Sequence, residues 1–119
     1  MAISKLTIHV LDTVHGVPGA GIGCLLYRHA NERWMLITSA VTNGEGRCET
    51  PLLQGKRFTA GRYRIMLDAG AYFTSKGIVL PAPQFVDELA IDFGVADASA
   101  TYNVSLLVSP WGYTVYRGN

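Results

Sequence analysis

TYNVSLLVSPWGYTVYRGN, residues 101–119, reads as two strands joined by a turn. Tyr102, Val104, Leu106 and Val108 recur at every second position, the period of a strand with one buried face. Ser109-Pro110 interrupts the pattern, because proline has no N–H for a ladder and favours turns. WGYTVYRG then resumes it. Chain ends are ordinarily frayed and polar. This one carries Trp111, Tyr113 and Tyr116 nearly to its last residue, Asn119, so the tail is expected to be held in structure.

The same alternation runs through the rest of the chain. In KLTIHVLD (5–12) Leu6, Ile8 and Val10 share one face, and Lys5, Thr7, His9 and Leu11 share the other. Glycine and proline make TVHGVPGAG (13–21) a loop. IGCLLYRHA and RWMLITSAVT read as strands around a turn at 30–32, and TNGEGR closes the second of them. RYRIMLD sets Tyr63, Ile65 and Leu67 opposite Arg62, Arg64 and Met66. AGAYFTSKG is the one stretch expected to turn helical. The prolines of PAPQF bar regular pairing, and ELAIDFGV alternates again. About seven or eight short strands with regular turn signals predict an all-β sandwich. No linker or repeat divides it, so residues 1–119 are read as a single domain.

Composition agrees. The chain is 49% hydrophobic and only 16% charged, which is too apolar for disorder. A formal net charge of +1 without a basic run argues against nucleic acid as a partner. No stretch approaches the roughly 20 apolar residues of a membrane span, and the first residues alternate like a strand rather than a signal peptide. A cytoplasmic location is the expectation. Cys24, in an apolar run, reads as a buried thiol and not as half of a disulfide. Three scattered histidines and two distant cysteines match no metal spacing. With no nucleophile elbow or phosphate loop either, no cofactor or metal is expected, and any chemistry falls to polar side chains and water.

The polar faces of the terminal strands point to a site. An ordinary solvated face carries Lys and Glu. Here the second face carries His9 on the first strand, Asn103 and Ser105 on the next to last, and Thr114 and Tyr116 on the last. That composition suits a half-buried, hydrogen-bonding wall, as in an interface or pocket. Arg47 follows the glycine turn Asn-Gly-Glu-Gly and is either a surface charge or a fork facing an anion.

LTIHVLDT, VTNGEGRC, AGRYRIMLDAGAYF and SPWGYTVYRGN together span nearly the whole chain and resemble the 5-hydroxyisourate hydrolases, transthyretin-related enzymes of urate breakdown. The tail is similar to the family's Tyr-Arg-Gly-Ser ending, which the hormone carrier transthyretin lacks. The resemblance implies a transthyretin-like sandwich of two four-stranded sheets with one short helix. It also implies a homotetramer, a dimer of dimers, whose sites open where the dimers meet and take a small purine-derived substrate. The family's first-strand histidine falls on His9 and its arginine on Arg47. Its second histidine falls on Asn103, its terminal serine on Asn119, and a proline on Ser105. Tyr116, Arg117, Gly118, Ser105 and Thr114 are expected to line the substrate. Two histidine- or hydroxyl-bearing positions thus carry amides instead. The expected activity is ring-opening hydrolysis of an N-methylated 5-hydroxyisourate, as arises in caffeine or methylxanthine oxidation. The ordinary 5-hydroxyisourate hydrolase and an inactive transthyretin-like ligand binder are the alternatives.

Overall fold

The computed structural model describes residues 3–118. Strands β1 (Lys5–Asp12), β2 (Val17–Pro18), β3 (Gly23–Ala30), β4 (Arg33–Val41) and β5 (Leu53–Gln54) precede β6 (Gly61–Asp68). Helix α1 (Ala69–Ser75) follows, then β7 (Glu88–Val95), β8 (Tyr102–Ser109) and β9 (Gly112–Gly118). One sheet runs β2-β1-β8-β9 with β5 on β1, and the other runs β4-β3-β6-β7. β1 and β8 are parallel, while their other neighbours are antiparallel.

The alternation read from the sequence builds the core. Leu6, Ile8 and Val10 of β1 and Leu106 and Val108 of β8 meet Cys24 and Leu26 of β3 and Tyr63, Ile65 and Leu67 of β6. Each such side chain contributes about 1.5–3 kcal/mol when fully buried. Asn31 and Glu32 take positive φ of 53° and 63°, the tight reversal that joins β3 to β4.

Two short strands depart from the sequence reading. The segment 13–21 is not wholly loop, because Val17 and Pro18 pair with Asp12 and Leu11. β5 joins the same strand through Leu53 and Gln54. The sheet carrying the terminal strands therefore has five strands where four were expected, two of them only two residues long. Stretches so short have no period to detect.

Asp12 holds the β1–β2 turn. Its carboxylate accepts from the backbone N–H groups of Val14 and His15, from the His15 ring at 2.6 Å, and from the Tyr72 hydroxyl of α1 at 2.7 Å. Burial alone pushes this carboxyl up, but the hydrogen bonds from His15, Tyr72 and the backbone outweigh it and hold it below the usual carboxylate range. No helix among the described residues is long and apolar enough to cross a membrane.

Candidate functional site

The outer face of the β1–β8–β9 layer gathers the polar residues. Register decides the grouping, since residues directly opposite one another across a ladder point to the same side. His9 lies opposite Ser105, which lies opposite Tyr116. Thr7, Asn103 and Gly118 form the next row, and Leu11, Leu107 and Thr114 the row beyond. Asn103 and Ser105 sit on the middle strand and are only 8% and 7% exposed, whereas Tyr116, at the sheet edge, is 52% exposed.

Arg47 reaches this face through its turn. Asn43 Oδ1 accepts from the backbone N–H of Glu45 and of Arg47, and the N–H of Asn43 donates to the Arg47 carbonyl. Gly46 lies at φ +76°, and a Cβ there would fall 2.3 Å from the Val10 carbonyl oxygen. Only glycine lets the turn seat against β1, where the N–H of Val10 donates to the Gly46 carbonyl at 2.9 Å. The result is a bridge pairing His9 with Arg47. Arg47 is exposed and has no carboxylate partner among the described residues.

The half-buried His9 ring bonds through Nε2 to the Glu45 carbonyl oxygen at 3.1 Å. A carbonyl only accepts, so Nε2 carries the proton and a neutral ring presents the Nδ1 lone pair. Beside it the Thr7 hydroxyl donates to Asn103 Oδ1 at 3.0 Å, and Asn103 Nδ2 donates to Ser105 Oγ at 3.3 Å. The arrangement thus offers an acceptor nitrogen, a fixed positive charge and an amide donor on adjoining positions. A hollow of 220 Å³ lined by Thr7, Arg47 and Cys48 adjoins it. Burial pushes the Cys48 thiol up, away from a reactive thiolate. A larger hollow, of 490 Å³, lies on the other sheet around Leu25, Ser39 and Met66 and holds none of these residues.

One sequence expectation needs correcting in its geometry. Arg117 does not share the face of Tyr116 and Gly118, because consecutive strand residues alternate. Its guanidinium lies 3.7 Å from the centre of the Tyr102 ring, on the core side, and reaches the Thr101 carbonyl. Asn119 lies outside the described residues. Thr7 was missed, although it stands two positions before His9 on the same face. That spacing was the available signal. Among the described residues no group of three or more His, Cys, Asp or Glu side chains is placed to hold a metal ion.

Residues 6–118 match the model of the HIUase/transthyretin family. The chain is 44% identical over 117 residues to the 5-hydroxyisourate hydrolase of Pseudomonas aeruginosa, covering 98% of this chain and 93% of that one. Among solved structures, (S)-allantoin synthase superposes with a TM-score of 0.93 at 40% identity, covering 99% of this chain and 44% of that longer one. Sea bream transthyretin in complex with thyroxine superposes at 0.85 with 28% identity, covering 96% and 94%.

Proposed function

Because this chain belongs to the HIUase/transthyretin family, we propose that it is a ring-opening hydrolase of a 5-hydroxyisourate-type substrate, acting on the N-methylated form. Support for the hydrolase comes from relatives of 44% and 45% identity over nearly the whole chain that are named 5-hydroxyisourate hydrolase. The observation that carries the reading is the pairing of His9 with Arg47 beside the Asn103 amide on one sheet face.

In the proposed reaction water attacks a ring carbonyl carbon while His9 Nδ1 takes its proton. The carbonyl oxygen becomes a tetrahedral oxyanion, which the Arg47 guanidinium and the Asn103 amide stabilise. Collapse breaks the carbon–nitrogen bond, and the leaving nitrogen takes the proton back from His9. The products are an N–H group on the opened ring and a carboxylic acid, which releases its proton to solvent and leaves as the carboxylate. Tyr116, Ser105, Thr114 and Gly118 wall the substrate. Asn119 is assigned a supporting amide role. The exposed apolar side chains Trp111, Tyr113 and Val115 lie on and beside β9, Tyr113 and Val115 on the face of Arg117 rather than that of Tyr116, and suit a subunit contact along this sheet edge, in keeping with a homotetramer.

The amide at position 103 favours the methylated substrate. Each N-methyl group removes a donor and leaves carbonyl acceptors, which amide N–H groups match. The names of the relatives favour a second reading, the ordinary 5-hydroxyisourate hydrolase. Likeness to a thyroxine-bound transthyretin favours a third, a ligand binder without turnover. Freshly prepared trimethyl-5-hydroxyisourate, followed by its ultraviolet absorbance, separates the three. The protein is expected to accelerate its decay. Acceleration of the unmethylated compound alone overturns the methylated assignment. Response to neither, with a ligand-induced rise in melting temperature, selects the binder.

A further inference from the structure

We propose that Arg117 is a positioning residue: from the far face of β9 it clamps the end of that strand onto the Tyr102 ring and so holds the Gly118 backbone against Asn103 and Ser105. The inference deepens the hydrolase reading and rests on it only for the kinetic consequence.

The end of β9 needs a hold. It is an edge strand whose one neighbour is β8, and it runs to the end of the chain, where strands fray. Gly118 has no side chain to pack and the widest backbone freedom of any residue. Yet it lies opposite Asn103, with its backbone close against the site. A Cβ there would stand 2.8 Å from Ser105 Oγ and 3.1 Å from the Asn103 side-chain amide. Gly118 itself contributes nothing that could keep it so near.

Arg117 contributes it from the other side. It pairs with Val104, which sets Tyr102 on the diagonal of the same face. The guanidinium carbon stands 3.7 Å from the centre of the Tyr102 ring, a cation–π contact, and Nη2 donates to the Thr101 carbonyl at 3.4 Å. The ring is a firm anchor. It is 8% exposed, packs edge-on to Phe58 at 5.9 Å, and its hydroxyl accepts from the Ala96 N–H at 3.2 Å. Bonds from Ser99 hold the Asp97 carboxyl below its ordinary value, and the Arg117 charge adds to them, so the same loop also faces the cation. None of these groups belongs to the site, so Arg117 acts on it through the backbone of the next residue. A planar guanidinium can stack and donate at once, which an ammonium cannot do as well.

Arg117→Met keeps an unbranched stem over the ring and removes the charge and the donors. Arg117 is exposed, so the variant should fold. Hydrogen–deuterium exchange of the full-length protein, followed by mass spectrometry, reads the clamp without substrate. In Arg117→Met the peptide 112–119 should exchange about tenfold faster, the scale of one cation–π contact, while peptides from β1 and β6 keep their rates. Arg117→Lys keeps a cation over the ring and should recover part of the protection. With trimethyl- or unmethylated 5-hydroxyisourate, whichever the unaltered protein opens, KM should rise about tenfold in Arg117→Met and less in Arg117→Lys. His9 and Arg47 are untouched, so kcat should stay within about twofold. Unchanged exchange of 112–119 in folded Arg117→Met overturns the clamp, as does equal acceleration of every peptide. Faster exchange of that peptide with KM unmoved overturns its part in the site. Should the unaltered protein open neither compound, the hydrolase reading falls, while the exchange rates still decide for or against the clamp.

Discussion

His9 donates through Nε2 to the Glu45 carbonyl, so the proton-accepting role proposed above falls to Nδ1. The contact ties the His9 ring to the same turn that delivers Arg47, so both groups depend on one stretch of backbone. Replacing His9 by alanine is expected to lower kcat/KM by about 10²–10⁴-fold, the range of a general base. The ring is half-buried and outside the core, so melting temperature should barely change. A large thermal loss alongside the kinetic one would assign His9 a structural role instead. Cys24 stands at the opposite extreme of reactivity. Burial, with the neighbouring Cys48 adding to it, pushes its thiol up to about 12, as a core thiol should be.

At the scale of elements, two turns do most of the placing. The turn at 43–47 seats against β1 only because Gly46 has no side chain and takes a left-handed φ of +76°. Gly46→Ala carries strain of about 1–3 kcal/mol from backbone conformation alone, and the collision with the Val10 carbonyl adds to it. Thermal unfolding should show at least that loss, and activity should fall further than stability because Arg47 leaves His9. The other turn follows β1 and is held by Asp12, bonded to His15 and Tyr72. Its carboxyl lies below the ordinary carboxylate value when folded, so the unfolded chain takes up the proton first. The contribution is therefore fully present above the ordinary carboxylate range and drains away as pH falls toward the folded value. Tyr72→Phe removes one of the bonds that lower the carboxyl. It should destabilise by about 1.5–3 kcal/mol at neutral pH, and its stability curve should converge with that of the unaltered protein in acid. Parallel curves down to low pH would remove Tyr72 from the linkage.

For the whole molecule, the proposed channel requires four copies, and the exposed Trp111, Tyr113 and Val115 give β9 an apolar border suited to contact. Sedimentation should therefore yield a tetramer mass. A fully active monomer would sink the shared channel while leaving the face intact. The sandwich was readable in the sequence, because burying one face of a strand writes a period of two into the residues, as in Leu6, Ile8 and Val10. The mixed polar faces of the terminal strands were readable for the same reason. What the sequence left open was who stands beside whom. Pairing between β1 and β8 joins residues 96 positions apart, Thr7 to Asn103, and the strand period carries no information about register between such distant strands. Only the tertiary structure could set His9, Ser105 and Tyr116 in one row, turn Arg117 onto Tyr102, and close Thr7 against the Asn103 amide. Local chemistry determines which way each side chain of a strand faces, but long-range packing determines its neighbours, and a site is made of neighbours.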